Sequence, residues 1–216
     1  MGRDVPKAFL PLAGKPLLVH TLTAIERSPV VGAGIMVATP GRQRESRELL
    51  RRHGPFRLDW LVVDGGEERQ DSVRLGLAQI DEDCEIVIVH DGARPFVRAE
   101  LIAQVVEAAA AGGGAVAAIA ATDTVKRVSP DGRVTETLAR TDLRLAQTPQ
   151  AFRTDLIRRA HAWAHGAGVR ATDDAALVEA VGGRVQVIDG DPCNIKITTP
   201  ADLLLAEAIV RAGAAG

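Results

Sequence analysis

The stretch Glu85-Ile86-Val87-Ile88-Val89, followed at once by His90-Asp91-Gly92-Ala93-Arg94-Pro95, decides the fold class of this chain. Its first part is a short, mostly apolar run rich in β-branched side chains, which is typical of a buried parallel strand. Asp91 and Arg94 follow at the carboxyl end of that strand, the edge at which ligands bind in open α/β sheets. A carboxylate can hold a hard cation, and an arginine can bind a phosphate. The pair therefore predicts chemistry on phosphates.

Strand-like and helix-like segments alternate along the chain around this stretch. The sequence predicts strands at 30–39, 58–63, 85–89, 115–121 and 184–188, and helices at 17–27, 42–53, 71–80 and 99–111, with three more helices toward the end. Such alternation predicts an α/β fold, with a doubly wound, mostly parallel, Rossmann-like sheet covered by helices on both faces. Since the chain has 216 residues, we expect a single domain, residues 1–216, with one elaboration.

The elaboration is a predicted β-ribbon arm at about residues 122–147. Thr124 to Val128 and Arg133 to Leu138 alternate polar and apolar side chains around the turn Ser129-Pro130-Asp131-Gly132. Proline presets φ and glycine accepts positive φ, so this turn favours a hairpin. A projecting two-stranded ribbon is only marginally stable alone. We therefore expect the arm to pack on a second copy of the chain.

Composition excludes several classes of partner. A formal net charge of −2 leaves no basic excess for nucleic-acid binding. The sequence contains no apolar run of the roughly 20 residues that a membrane helix needs, and the segment after Met1 lacks the apolar stretch of a signal peptide. Two cysteines, Cys84 and Cys193, provide no disulfide framework. A reducing, cytoplasmic location is therefore expected.

Two more loops at strand ends carry candidate residues. Gly65 and Gly66 follow a predicted strand and precede the helix that contains Ser72; glycines there allow the backbone to approach a ligand closely, although an ordinary tight turn explains them equally well. Asn194 and Lys196 lie between the last strand and the last helix. Lys196 is a candidate for neutralising phosphate charge, and the alternative is a solvated surface lysine.

Helix ends and polar residues around the arm allow weaker interpretations. Thr154 and Thr172 are predicted N-caps, and Thr199-Pro200-Ala201-Asp202 predicts a capped helix start. The threonines and the arginine around the arm each have a structural explanation and matter only as a set: Thr124, Arg140, Thr148 and Thr172.

His161 and His165 share helical spacing, but without a third ligand we expect an exposed helix face and not a zinc site.

Eight short motifs occur in a fixed order along the chain. They are Pro6-Lys7-Ala8-Phe9, Asp64-Gly65-Gly66, Asp71-Ser72-Val73, His90-Asp91-Gly92-Ala93-Arg94-Pro95, Asp123-Thr124-Val125-Lys126, Thr148-Pro149-Gln150-Ala151-Phe152, Thr172-Asp173-Asp174 and Asn194-Ile195-Lys196. In this order and spacing the chain resembles the 2-C-methyl-D-erythritol 4-phosphate cytidylyltransferases, a family of bacterial isoprenoid biosynthesis. Single motifs are weak signals, but the resemblance runs from residue 1 to about residue 210.

The resemblance implies a magnesium-dependent transferase that makes a cytidine diphosphate alcohol and pyrophosphate from CTP and a sugar-alcohol phosphate. Gly65, Gly66 and Ser72 match positions that contact the cytidine, and Asp91 matches the magnesium-binding acid. Lys7 and Lys196 match the catalytic lysines that stabilise the reacting phosphates. The matches around the methylerythritol phosphate are Arg94, Thr124, Arg140, Thr148 and Thr172. The family's arm interlocks two subunits, which implies a homodimer.

One segment of the family has no counterpart in the sequence. Members begin with a strand and a glycine-rich loop, Ala-Ala-Gly-x-Gly-x-Arg, which wraps the CTP phosphates and which the resemblance puts just before Met1. We expect upstream residues to supply it, either because the sequence omits them or because the start was assigned late. The alternative is a chain with impaired activity, because the absent strand would leave two sheet edges unpaired.

Two rival functions stay open at this stage. A ribitol 5-phosphate cytidylyltransferase has closely similar motifs and differs in its acceptor pocket. A catalytically silent dimeric binding module would retain the fold without the phosphate loop.

Overall fold

Helices and strands alternate through residues 7–213, the part of the chain that the computed structural model describes. The strands are β1 Pro11–Leu12, β2 Lys15–Pro16, β3 Gly34–Ala38, β4 Trp60–Asp64, β5 Ile86–Val89, β6 Gly114–Ala120, β7 Lys126–Val128, β8 Val134–Thr137, β9 Arg144–Arg153 and β10 Val185–Asp189. The helices are α1 Leu17–Glu26, α2 Gln43–His53, α3 Arg69–Leu77, α4 Ala99–Gly112, α5 Thr154–Ala167, α6 Asp174–Ala180 and α7 Pro200–Arg211. The predicted α/β alternation is confirmed, with element ends shifted by a few residues.

The main sheet has the strand order β10-β6-β9-β5. β10 pairs parallel with β6, while β9 runs antiparallel to both β6 and β5. β5, β6 and β10 therefore run in the same direction, and β3 and β4 form a separate parallel pair. The prediction of a mostly parallel sheet is confirmed, and the carboxyl ends of β5 and β10 lie at the same edge of the sheet.

Strand β9 was not predicted, because its sequence lacks the signals of a central strand. Arg144 to Arg153 contains two glutamines, a threonine and a proline, residues that favour loops or edge strands. The β6–β9 ladder is irregular between Val116 and Ala118, and Pro149 lies at that interruption, where no ladder hydrogen bond is required of it. Residues 144–147, which the sequence assigned to the arm, belong to this strand.

The β-ribbon and one of three predicted caps are present as expected. β7 and β8 pair antiparallel, and all their residues are exposed. Thr199 and Asp202 form a reciprocal capping box at α7. The caps predicted at Thr154 and Thr172 are wrong. Arg153 and Asp173 occupy those positions, and Asp173 accepts a hydrogen bond from the backbone N–H of Ala176; its carboxylate is a stronger acceptor for the helix N-terminus than a hydroxyl.

The apolar core lies mainly between the main sheet and helices α4, α5 and α6. Phe152 of β9 is fully buried in a cluster with Leu156 and Ile157 of α5 and with Leu177 and Val178 of α6. This packing fixes α5 and α6 against the strands whose ends carry the candidate residues. Within residues 7–213, no helix has both the length and the apolar character that spanning a bilayer requires.

Phe152→Ala should lower the free energy of unfolding by about 3–5 kcal/mol, because it removes a fully buried ring and leaves a cavity. Chemical denaturation would measure the change. Leu204→Ala is the matched control, since that side chain is 68% exposed, and it should change stability by less than about 0.5 kcal/mol. Equal effects of the two substitutions would contradict the assignment of this core.

Candidate active site

The carboxylate of Asp91 lies among three cationic side chains just beyond the carboxyl end of β5. Lys196 Nζ lies 2.9 Å from Asp91 Oδ2, and Arg94 Nε lies 3.5 Å from the same oxygen. Arg69 Nε lies 3.5 Å from Oδ1. The Asp91 side chain is only 13% exposed, whereas Lys196 is 42% exposed. Positive charge is thus concentrated around one nearly buried carboxylate at the ligand-binding edge of the sheet.

These neighbours determine the ionisation of Asp91. Burial raises the pKa of the carboxyl, but the hydrogen bond from Lys196 and the charges of the three cations outweigh it, so the pKa lies below its ordinary value. Asp91 is therefore ionised at neutral pH, as a cation ligand must be. Burial lowers the pKa of Arg94, although Asp91 acts in the opposite direction.

Backbone and side-chain hydrogen bonds join the loop after β5 to the loop after β10. Arg94 Nη1 donates to the carbonyl of Asn194 at 2.7 Å, and the N–H of Ile197 donates to the carbonyl of Ala93 at 2.9 Å. Asn194 is itself fully buried, and its side chain donates to the carbonyl of Thr148 at 2.8 Å. Two segments about a hundred residues apart in sequence are therefore held in one rigid arrangement, which keeps Lys196 beside Asp91.

Hydrogen bonds with Thr148 and His90 fix the position of the loop that follows β5. The N–H of Asp91 donates to Thr148 Oγ1 at 3.0 Å, and the Thr148 hydroxyl donates to His90 Nδ1 at 3.1 Å. His90 Nε2 donates to the carbonyl of Arg94 at 3.0 Å. Burial lowers the pKa of His90 to about 4, so the ring is neutral at pH 7. His90 thus orients the loop.

The glycine loop after β4 packs closely on its own chain. The N–H of Gly65 donates to the carbonyl of Ala38 at 2.7 Å, and the N–H of Gly66 donates to Ser72 Oγ at 3.1 Å. A Cβ atom on Gly65 would lie 2.7 Å from Ser72 Oγ, and one on Gly66 would lie 2.4 Å from Asp71 Cβ. No larger residue fits at either position. Gly65, Gly66 and Ser72 are therefore brought together, and their contact with cytidine stays a prediction.

Four other predicted residues are not joined to this cluster. Arg140 begins a short 3-10 turn and donates to the carbonyl of Thr122, and Thr124 is exposed nearby. Thr172 is exposed next to the start of α6. Within residues 7–213, no hydrogen bond or ion pair links these three side chains to Asp91. Lys7 begins the 3-10 turn Lys7–Phe9, and its side chain lies outside the described part of the chain.

Similarity to known proteins extends over nearly the whole chain. Residues 1–212 match the family model described as IspD: 2-C-methyl-D-erythritol 4-phosphate cytidylyltransferase. The chain belongs to this family. A 2-C-methyl-D-erythritol 4-phosphate cytidylyltransferase of Pelotomaculum thermopropionicum is 47% identical over 212 residues, which cover 98% of this chain and 89% of that protein.

Solved structures agree with the family assignment. A 4-diphosphocytidyl-2C-methyl-D-erythritol synthase from Anaerococcus prevotii superimposes with a TM-score of 0.88 at 29% identity, covering 97% of this chain and 92% of that chain. The cytidylyltransferase from Thermus thermophilus gives a TM-score of 0.81 at 38% identity, covering 95% and 94%. The Rossmann-like nucleotidyltransferase fold predicted from the sequence is therefore confirmed.

The chain of polar contacts that leads from Asp91 through Arg69 and Asp174 to His161 was not identified from the sequence. Arg69 contacts Asp91 and also Asp174, and Asp174 accepts a hydrogen bond from His161. The expectation that His161 faces solvent is wrong, because its side chain is 2% exposed, although His165 is exposed. The spacing of Ile157, His161 and Ala164 contained the signal, since i, i+4, i+7 marks one helix face.

Asp91→Asn should lower the free energy of unfolding at pH 7 by about 1–3 kcal/mol, because it leaves three cations without their shared counter-charge. The pKa of Asp91 is lowered in the folded state, so its contribution is present above the ordinary value of 3.8 and is lost as pH falls through the folded-state pKa. Thermal melting from pH 7 to pH 3 should show the difference between variant and wild type shrinking.

The control for this series is Asp155→Asn, which removes a 69% exposed carboxylate paired with Arg153. It should change stability by less than about 0.5 kcal/mol at every pH. A constant difference between Asp91→Asn and wild type across the pH range would contradict the electrostatic role of Asp91.

Proposed function

We propose that this chain transfers the cytidylyl group of CTP to 2-C-methyl-D-erythritol 4-phosphate, giving the cytidine diphosphate alcohol and pyrophosphate in isoprenoid biosynthesis. Membership of the family supports this reaction. Within the site, the Asp91–Lys196 ion pair carries the proposal. It lies at the ligand-binding edge of the sheet, with Arg94 and Arg69 beside it.

The reaction is a displacement at the α-phosphorus of CTP. A phosphate oxygen of the acceptor forms the new P–O bond while the bond to the pyrophosphate oxygen breaks. The acceptor phosphate is already ionised at pH 7, so no side-chain nucleophile is required. Both substrates are anions, and catalysis therefore depends on positioning and on neutralising charge. Lys196 supplies a partly exposed ammonium for this purpose.

The residues around Asp91 fit a magnesium ion that has a single carboxylate ligand from the protein. Within residues 7–213, no group of three or more His, Cys, Asp or Glu side chains surrounds a common point. Magnesium in phosphoryl-transfer sites commonly uses only one or two carboxylates, with substrate phosphates and water completing its shell. Asp91 would hold the ion as such a single carboxylate. When bound, magnesium would neutralise charge on the triphosphate.

The remaining site residues are proposed in the roles that their family positions imply. Gly65, Gly66 and Ser72 would contact the cytidine, and their close packing supports a rigid rim for a base. Lys7 would assist Lys196 at the reacting phosphates. The acceptor would be held by Arg94, which belongs to the Asp91 loop, and by Thr148, which accepts a hydrogen bond from the N–H of Asp91. Thr124, Arg140 and Thr172 would complete the acceptor site. The two cysteines, both free, support the proposed cytoplasmic location.

We propose that two copies of the chain form a homodimer through the β-ribbon. Val128 and Val134 are 57% and 58% exposed on β7 and β8, and Leu145 on the adjoining part of β9 is 51% exposed. Burying these apolar side chains against a second copy would stabilise an otherwise marginal ribbon. Exchange of arms would also bring Thr124 and Arg140 of one copy toward the site of the other, which accounts for their separation from Asp91 within a single chain.

Pyrophosphate release by the full-length protein tests the proposed reaction. We expect release with CTP, magnesium and 2-C-methyl-D-erythritol 4-phosphate, and little with ribitol 5-phosphate. Preference for ribitol 5-phosphate would favour the rival acceptor. No release with either acceptor, and no binding of CTP with magnesium in calorimetry, would favour the silent binding module.

Lys196→Ala should lower kcat by about 10²–10³-fold, because it removes a cation that stabilises charge in the transition state. Its side chain is 42% exposed, so the melting temperature should change little. Lys15→Ala, at another exposed lysine, is the control and should leave both unchanged. If Lys196→Ala lowers stability as severely as turnover, the lysine has a structural role instead.

The double substitution Val128→Asp with Val134→Asp should convert the dimer to a monomer, because it places charge in the proposed apolar interface. Light scattering coupled to size exclusion would measure the mass. Leu204→Asp with Leu205→Asp is the matched control on α7, where both side chains are also exposed. A dimer that survives the ribbon substitutions would place the interface elsewhere.

A further inference from the structure

Arg69 lies between two carboxylates at the start of α3. Its Nη2 atom lies 2.7 Å from Asp174 Oδ2, and its Nε atom lies 3.5 Å from Asp91 Oδ1. Both carboxylates act to raise the pKa of Arg69, while burial opposes them, and the net shift is upward. The guanidinium is therefore charged and shared, and the shorter of its two contacts is with Asp174.

Asp174 is held rigidly by a buried histidine. Its side chain is 1% exposed, and its Oδ1 atom accepts a hydrogen bond of 2.9 Å from Nε2 of His161, which is 2% exposed. His161 Nδ1 is buried without a hydrogen-bond partner among the described groups. The ring is thus anchored through Asp174, and each oxygen of Asp174 is engaged, one by His161 and one by Arg69. Such a carboxylate has little freedom to move.

The two oxygens of Asp91 differ in their surroundings. Oδ2 is contacted by Lys196 at 2.9 Å and by Arg94 at 3.5 Å. Oδ1 faces Arg69 at 3.5 Å, too far for a strong charge-assisted hydrogen bond. Within residues 7–213, Oδ1 has no shorter hydrogen bond or ion pair. Oδ1 is therefore the oxygen that a divalent cation can approach.

We propose that Asp174, fixed by His161, holds Arg69 away from Asp91 and so keeps Asp91 Oδ1 open for the cation. Asp174, His161 and Arg69 are positioning residues. The inference rests on the proposed role of Asp91 as a magnesium ligand. Without Asp174, the guanidinium would close onto Asp91 as a two-bond fork, which is the favoured arrangement of arginine with a carboxylate. That fork would occupy Oδ1 and compete directly with magnesium.

The test measures magnesium binding, by calorimetric titration of Mg²⁺ into the full-length protein with saturating CTP and no acceptor. Asp174→Asn should weaken Mg²⁺ affinity about tenfold, equivalent to about 1.4 kcal/mol. Arg69→Gln should bind Mg²⁺ at least as tightly as wild type. Combining the two substitutions should restore affinity to near the wild-type value, because the competing guanidinium is gone. Arg153→Gln, which alters an exposed ion pair, is the control and should change nothing.

Each alternative result has a distinct meaning. If the double variant binds Mg²⁺ no better than Asp174→Asn, Asp174 acts only through folding and the proposal is wrong. If Arg69→Gln weakens binding of Mg²⁺ or CTP, Arg69 contacts the nucleotide and does not compete with the metal. A wild-type protein that binds CTP but no Mg²⁺ overturns the metal role of Asp91 and this inference together.

A milder substitution guards against misfolding. If Asp174→Asn does not fold, as judged by thermal melting, His161→Gln replaces it, because it weakens the hold on Asp174 while leaving the Arg69–Asp174 ion pair in place. Mg²⁺ affinity should fall in the same direction by a smaller factor, about two- to fourfold, and Arg69→Gln should again remove the defect. Unchanged affinity in a folded His161→Gln protein would contradict the proposal.

Discussion

Three cations from three separate segments meet at the carboxylate of Asp91: Arg69 from α3, Arg94 from the loop after β5 and Lys196 from the loop after β10. Asp91 lies in the same loop as Arg94, whereas Arg69 and Lys196 reach it from other parts of the chain. The shared carboxylate neutralises part of their mutual repulsion, and the cations in turn stabilise its ionised form. The result is a site with an excess of positive charge, which suits two polyanionic substrates.

Strand β9 makes this convergence possible. It runs antiparallel between β5 and β6, and its buried polar side chains hold the neighbouring loops in place. Gln150 donates to Asp173 and accepts from the N–H of Ala175, while Gln147 accepts from the N–H of Asp191. Each amide is satisfied, so burial of polar groups in the middle of the sheet carries little penalty. The strand serves as a scaffold for the site as well as part of the core.

Local patterns predicted the parts of the site that lie within one segment. Asp91 and Arg94 were found from a strand followed by charged residues, Gly65 and Gly66 from a strand-to-helix turn, and Lys196 from its place after the last strand. Strand β9 was not predicted because glutamines in a sequence favour a loop, and their burial becomes plausible only once their hydrogen-bond partners are known. The prediction that His161 is exposed was wrong because it rested on the spacing to His165 alone. The apolar residues on the same helix face as His161 indicate burial.

Periodicity, turn chemistry and motif order along the sequence are enough to predict the α/β alternation, the ribbon, the family and the residue types at the sheet edge. Which charged side chains come into contact depends on how the helices and strands pack in three dimensions. Arg69 and Asp174 are distant in sequence, and their ion pair forms because Leu77 of α3 and Leu177 of α6 pack in the same core cluster. Side-chain contacts between remote segments are set by packing, and no local pattern of residues encodes them.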